Sequence, residues 1–196
     1  MLIVEPVVLA GKYVRMEPLS EIHIPGLSLV GNDPQIWHYM LYGDVTSEEK
    51  MTAWVLDILA RKAAGTDLPF AVRHLGSGSL TGATRYLDIR PSHHGLEIGG
   101  TWFGTKFQRT MVNTESKYLL LKHAFETLGC IRVQFKADER NERSLKAIER
   151  IGAVREGVLR NHMVLDGGVF RHSVYFSIID GEWPAVKARL EALLGY

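Results

Sequence analysis

One stretch of this chain limits its fold more than any other. It reads LEIGGTWFGT, then KFQRTMVNTESKYLLLKHAFETLG, then IRVQFKADERNERSLKAIERIGA. The apolar pattern predicts a strand over Leu96–Phe103, a polar loop, a helix over Asn113–Leu128, a strand over Arg132–Ala137 and a short helix over Asn141–Ile151. In the longer helix Tyr118, Leu121, Phe125 and Leu128 recur at helical spacing, which sets Glu115 and Lys122 outside. Leu145, Ile148 and Ile151 make the inward face of the shorter one, and Gly152 caps its end. A helix start offers unpaired amides and the positive end of a dipole. The segment from Gln108 to Asn113 is therefore a candidate phosphate site, with Asn113 doubling as the helix N-cap.

The remaining chain adds strands and helices in mixed order. Tyr13–Glu17 alternates as a strand, and short helices are expected over Glu21–Val30 and Pro34–Met40. Thr46 with Glu49 reads as a capping box that starts a helix running to about Ala64. Phe70–His74 and Leu80–Ile89 are strands joined by the glycine-rich GSGS. Val158–Leu165 and Val169–Ile179 flank Asp166-Gly167-Gly168, a hairpin signal, and a last helix covers Trp183–Leu194. With no repeat or linker, 196 residues are expected to form a single domain, 1–196, of the α+β class, with helices packed on a mostly antiparallel sheet.

Composition narrows the partners. A net charge of +1 without a Lys/Arg tract argues against nucleic acid. No apolar run approaches the roughly 18 residues that span a bilayer, and the N-terminal MLIVEPVVLAGKYVRMEPL lacks the basic start of a signal peptide. The single cysteine, Cys130, precludes an internal disulfide, fits a reducing cytoplasm and reads as a small core residue. Eight histidines show no metal-ligand spacing, so no metal is expected; His162 and His172 read as a cross-strand surface pair. No nucleophile elbow, P-loop or dinucleotide fingerprint is present.

The segments LEIGGTWF, QRTMVNTESKYLLL and RNERSLKAIERIGAVREGVLR, in this order and spacing, resemble GCN5-related N-acetyltransferases (GNATs). The chain looks most like the branch whose members acetylate ribosomal-protein N-termini, and the likeness runs from VRMEPL to YFSIIDGEWPAVK. The resemblance implies a twisted sheet of about seven strands, mixed but mostly antiparallel, splayed in the middle, with helices on both faces. It also implies acetyl-CoA as co-substrate, a protein N-terminus or a small-molecule amine as acceptor, direct attack in a ternary complex, and a homodimer.

Such chemistry can be assigned to particular residues. Backbone amides of Gln108, Arg109, Thr110, Met111, Val112 and Asn113 would wrap the pyrophosphate. Lys106 and Arg109 would add charge there, with Arg140 or Arg143 at the other end of the cofactor. The family loop carries small residues where this chain has Met111 and Asn113, so Met111 is expected to narrow the loop or change its path. The amide of Trp102 or Phe103 would meet the carbonyl oxygen as it becomes anionic, both side chains reading equally as core aromatics. The tyrosine acid of many relatives is replaced by Ile148, and the resemblance points instead to Ser144 within Asn141-Glu142-Arg143-Ser144, a residue that also suits helix capping. Asn141 would hold the pantetheine arm while capping its helix. Glu97 would take the amine's proton through water, or else form an edge-strand salt bridge. The alternative function is a non-catalytic acyl-CoA-binding or interaction module with a degenerate pyrophosphate loop.

Overall fold

The computed structural model describes residues 2–196, apart from the Asp166 side chain. Its strands are β1 (Leu9–Ala10), β2 (Val14–Pro18), β3 (Leu68–His74), β4 (Leu80–Arg90), β5 (Gly95–Phe103), β6 (Arg132–Asp138), β7 (Val154–Val164) and β8 (Phe170–Ile179). They form one sheet in the order β1-β2-β3-β4-β5-β6-β8-β7. Every neighbouring pair is antiparallel except β5 and β6. The expected class and sheet are borne out. The strand beyond the expected seven is β1, whose two residues are too few to show a period.

Among the described residues six α-helices accompany the sheet: α1 (Ile24–Val30), α2 (Pro34–Trp37), α3 (Glu48–Ala63), α4 (Met111–Lys122), α5 (Glu142–Arg150) and α6 (Trp183–Leu194). Alternation along the strands builds a core on each face of the sheet. On β3, Phe70 and Val72 join one core and Ala71 the other. Tyr118 and Leu121 of α4 and Trp183 and Leu190 of α6 belong to the first; Leu27, Trp37, Trp54 and Ile58 of α1 to α3 belong to the second. Each fully buried aliphatic side chain contributes roughly 1.5–3 kcal/mol, so the sheet is held firmly from both sides.

Several boundaries move for local reasons. The N-cap of α3 is Ser47, whose Oγ accepts the Lys50 amide at 3.2 Å, whereas Thr46 donates its hydroxyl to Asp44 at 2.6 Å. The N-cap of α4 is Thr110, not Asn113: Thr110 Oγ1 accepts the Val112 amide at 3.3 Å, and Asn113 already lies inside the helix. Past Lys122 the helix widens into a π turn over His123–Thr127. The expected glycine turn is present at Gly167 and Gly168, both at positive φ, and β7 begins earlier than expected, where Val154 faces Ser177.

One expectation about α4 is overturned. Glu115 is not on the outside; it is 0% exposed. Its carboxylate accepts the amides of Lys12, Tyr13 and Val14 at 2.8, 2.7 and 2.6 Å, and the Tyr196 hydroxyl. Spacing within a helix says nothing of a chain terminus laid across it.

Candidate active site

β5 and β6 pair through only three positions, Gly95 with Arg132, Leu96 with Val133 and Glu97 with Gln134. β5 then runs on to Phe103 and β6 to Asp138 without further pairing, so the strands part beyond Glu97. The cause is local to the glycines of GGTWFG. Against β4 the register slips between Ala83 and Arg85, and Gly100 there has φ 57°, a left-handed conformation that glycine adopts without strain. Gly99 makes room for Glu97, because a Cβ at that position would meet Glu97 Oε1 at 2.9 Å.

The start of α4 lies directly after β5. The amides of Arg109, Thr110 and Met111 have no partner among the described residues. Arg109 has φ 61°, so this arginine, not Met111 or Asn113, takes the left-handed turn. Met111 sits in the first helical turn and is 43% exposed. Val112 is buried in the core, Asn113 is half-buried, and Lys106 and Arg109 are exposed.

Gln108 ties the expected site segments together. Its Nε2 donates to Phe103 O at 3.0 Å and its Oε1 accepts Arg143 Nη1 at 2.6 Å. Arg150 Nη2 likewise donates to Thr114 Oγ1 at 2.7 Å, docking α5 on α4. Arg140 is drawn the other way: its Nη2 lies 2.7 Å from Asp138 Oδ2.

At the point of parting, Glu97 is 1% exposed. Its Oε2 accepts Gln134 Nε2 at 3.0 Å and lies 3.3 Å from Lys136 Nζ. β5 is a central strand, so Glu97 makes no edge-strand salt bridge. Trp102 points into the α1–α3 core, 4.9 Å from Trp37 and 5.8 Å from Trp54 between ring centroids. The Phe103 ring is buried in the opposite core. The Gly104 amide bonds Thr81 O at 2.8 Å on the β4 side. Alternation along the strand therefore turns the Phe103 N–H and C=O toward the gap, where Gln108 takes the carbonyl. Asn141 caps α5, its Oδ1 accepting the Ser144 amide at 3.1 Å. Ser144 Oγ has no partner among the described residues, and Ile148 is buried in the core.

The acetyltransferase (GNAT) domain family matches residues 14–154. The chain belongs to the GNAT acetyltransferase family. The "Putative ribosomal N-acetyltransferase YdaF" of Bacillus subtilis is 32% identical over 113 residues, 58% of this chain and 61% of that one. The chain thus matches less than two thirds of that relative's length, and YdaF's name bears out the expected likeness to the ribosomal branch. A crystal structure from T. thermophilus is 40% identical, with a TM-score of 0.88 over 97% of this chain and 98% of that one. Mycobacterium smegmatis RimJ in complex with CoA-disulfide shares the fold at 19% identity, with a TM-score of 0.80 over 97% and 95%.

In this GNAT domain three buried cations escaped sequence reasoning, Arg85, Lys117 and Arg171; the two arginines lie beside Asp67 and Asp138. Lys117 of α4 is 6% exposed, and its Nζ donates to Thr101 Oγ1 at 2.6 Å, which in turn lies 2.7 Å from Thr84 Oγ1. The same Nζ stands 5.8 Å from the Phe135 ring centroid, so it bridges from β5 toward β6 inside the gap. Burial pushes its pKa down to about 7 against the opposing pull of the Glu97 charge. A signal was present: Lys117 shares a helical stripe with Leu120, Leu121 and Ala124, all fully buried. Cys130 is buried as expected, its thiol pushed up to about 11 by burial. His162 and His172 bond separate partners on the hairpin, Ser173 Oγ at 2.9 Å and the Asn161 amide at 2.8 Å.

Proposed function

We propose that this protein transfers an acetyl group from acetyl-CoA to a primary amine, foremost a protein N-terminus, by direct attack in a ternary complex. The observation that carries the reading is the parting of β5 and β6 directly before a helix start with unpaired amides. A pyrophosphate needs several donors, and the segment Gln108–Asn113 supplies them with the α4 dipole behind them. The exposed cations Lys106 and Arg109 add charge at the same end. An extended pantetheine arm suits the unpaired edge of β5, and Asn141 at the start of α5 is the side chain we assign to hold it. Support for the cofactor comes from the CoA-bound RimJ of the same fold, and support for a protein acceptor from the name of YdaF.

Acetyl-CoA supplies an acyl carbon activated as a thioester. The Phe103 amide, turned to the gap, is placed to donate to the carbonyl oxygen. Glu97, held by Gln134 and Lys136, accepts the amine's proton through water, and Ser144 offers a free hydroxyl from α5. A cavity of about 590 Å³ between α2 and α5, lined by Gln35, His38, Tyr39, Arg140, Asn141 and Arg143, is the entry we assign to the acceptor. No helix among the described residues is long and apolar enough to cross a membrane. We place the reaction in the cytoplasm, in a homodimer that sedimentation would reveal.

Calorimetry with CoA and acetyl-CoA, followed by thiol release on N-terminal peptides and small amines, tests the reading. Binding followed by release on peptides is expected. Silence with both thioester and thiol would remove the reading, and binding without release on any amine would favour a non-catalytic module.

A further inference from the structure

We propose that Lys117 is the proton donor to the departing thiolate, acting from the α4 wall of the gap between β5 and β6. The assignment rests on the acetyl-transfer reading above. An ammonium has three N–H donors, yet among the described residues Lys117 finds one acceptor, Thr101 Oγ1. Unmatched donors in so dry a place are costly, and a substrate atom arriving in the gap relieves the shortfall. Position agrees, since Thr101 follows the left-handed Gly100 on β5 and Phe135 lies across the gap on β6. On the α5 wall Ile148 is apolar, Ser144 carries a neutral hydroxyl, and Arg143 and Arg150 are tied to Gln108 and Thr114 as guanidiniums too basic to give up a proton.

The proton path closes without another reactant. The neutral amine forms a C–N bond to the acyl carbon and the C–S bond breaks. The leaving sulfur takes a proton from Lys117 Nζ, which becomes a neutral amine. The proton shed by the acceptor nitrogen returns through water beside Glu97, whose charge Lys117 feels and which pairs with Lys136. The products are an amide and a free thiol.

Lys117→Met keeps the apolar stem and removes the proton. It should bind CoA within about threefold of wild type by calorimetry and release thiol about tenfold more slowly or worse. Lys117→Arg, charged but too basic to give up a proton, should also be slow. In spectra of protein labelled with 15N-lysine, adding CoA should move the Lys117 signal, which Lys117→Met identifies by its disappearance. Wild-type rates in either Lys117 variant, or a Lys117 signal blind to CoA, overturn the assignment. Loss of CoA binding in Lys117→Met also overturns it, making Lys117 an anchor for the cofactor. A wild-type protein that neither binds CoA nor releases thiol removes the acetyl-transfer reading itself; an active wild type with an indifferent Lys117→Met removes this assignment alone.

Discussion

Glu115 and Lys117 stand two residues apart on α4 and are both buried, but their surroundings differ sharply. Glu115 accepts three backbone amides and a tyrosine hydroxyl, which clamp the N-terminal arm and Tyr196 onto the helix. Lys117 has one neutral oxygen. A buried charge with its full set of partners belongs to the architecture, because removing it orphans every group that it satisfies. A buried charge left short of partners gives the fold little, and suits a group whose partner arrives with substrate.

The largest expected effect breaks the comparison at Glu115. Glu115→Ala leaves three amides in the N-terminal arm without an acceptor and should cost about 3 kcal/mol or more in urea unfolding. A loss below about 1 kcal/mol would mean that water replaces the carboxylate and that Glu115 is no clamp.

Lys117→Met should move stability the opposite way. Replacing an under-compensated buried ion by an apolar side chain is neutral or stabilising, so its urea midpoint should not fall. The pH dependence carries a definite sign. The folded pKa is depressed from 10.5 to about 7, so between those values the unfolded chain holds a proton that the folded chain has shed. Stability of the wild type therefore rises with pH across that window, and its burial cost is fully present below about 7. The stability difference between wild type and Lys117→Met should be greatest near neutral pH and shrink toward pH 10.5. A difference that ignores pH would place the Lys117 ammonium in a better-compensated site than its single bond suggests.

Much of this was legible in the sequence, and what was not has a common cause. Period-2 and helical patterns located the long elements because each buries one face against a core. The parting of β5 and β6 was implied by the resemblance, and its glycines were visible in GGTWFG. The turn at α4 is not legible from residue type, because Thr110 begins the helix ahead of Met111 and Asn113 and Arg109 takes the left-handed turn that small residues would signal. Glu115 and Lys117 were both missed for a related reason. Their environments come from segments more than a hundred residues away in one case and from facing strands in the other, and helical spacing encodes neither. A lysine on an otherwise apolar stripe was the one local hint.

Thr101→Val sharpens the contrast from the Lys117 side. It removes the one acceptor of Lys117 and a partner of Thr84, for an expected loss of about 1–2 kcal/mol that should shrink in a Lys117→Met background. A loss that persists there belongs to Thr84 alone.

The smallest effect tests how saturated Glu115 is. Tyr196→Phe deletes one donor of four, and Tyr196 is 51% exposed, so water can take its place beside the carboxylate. The three amides remain, each fixed by the backbone of the arm. The expected loss is about 0.5–1 kcal/mol, well below that of Glu115→Ala, and it should disappear once Glu115 is already alanine. A loss above about 2 kcal/mol would mean that the clamp hangs on its last donor. Glu115 would then resemble Lys117, a buried charge depending on a single neighbour, and the distinction between the two would collapse.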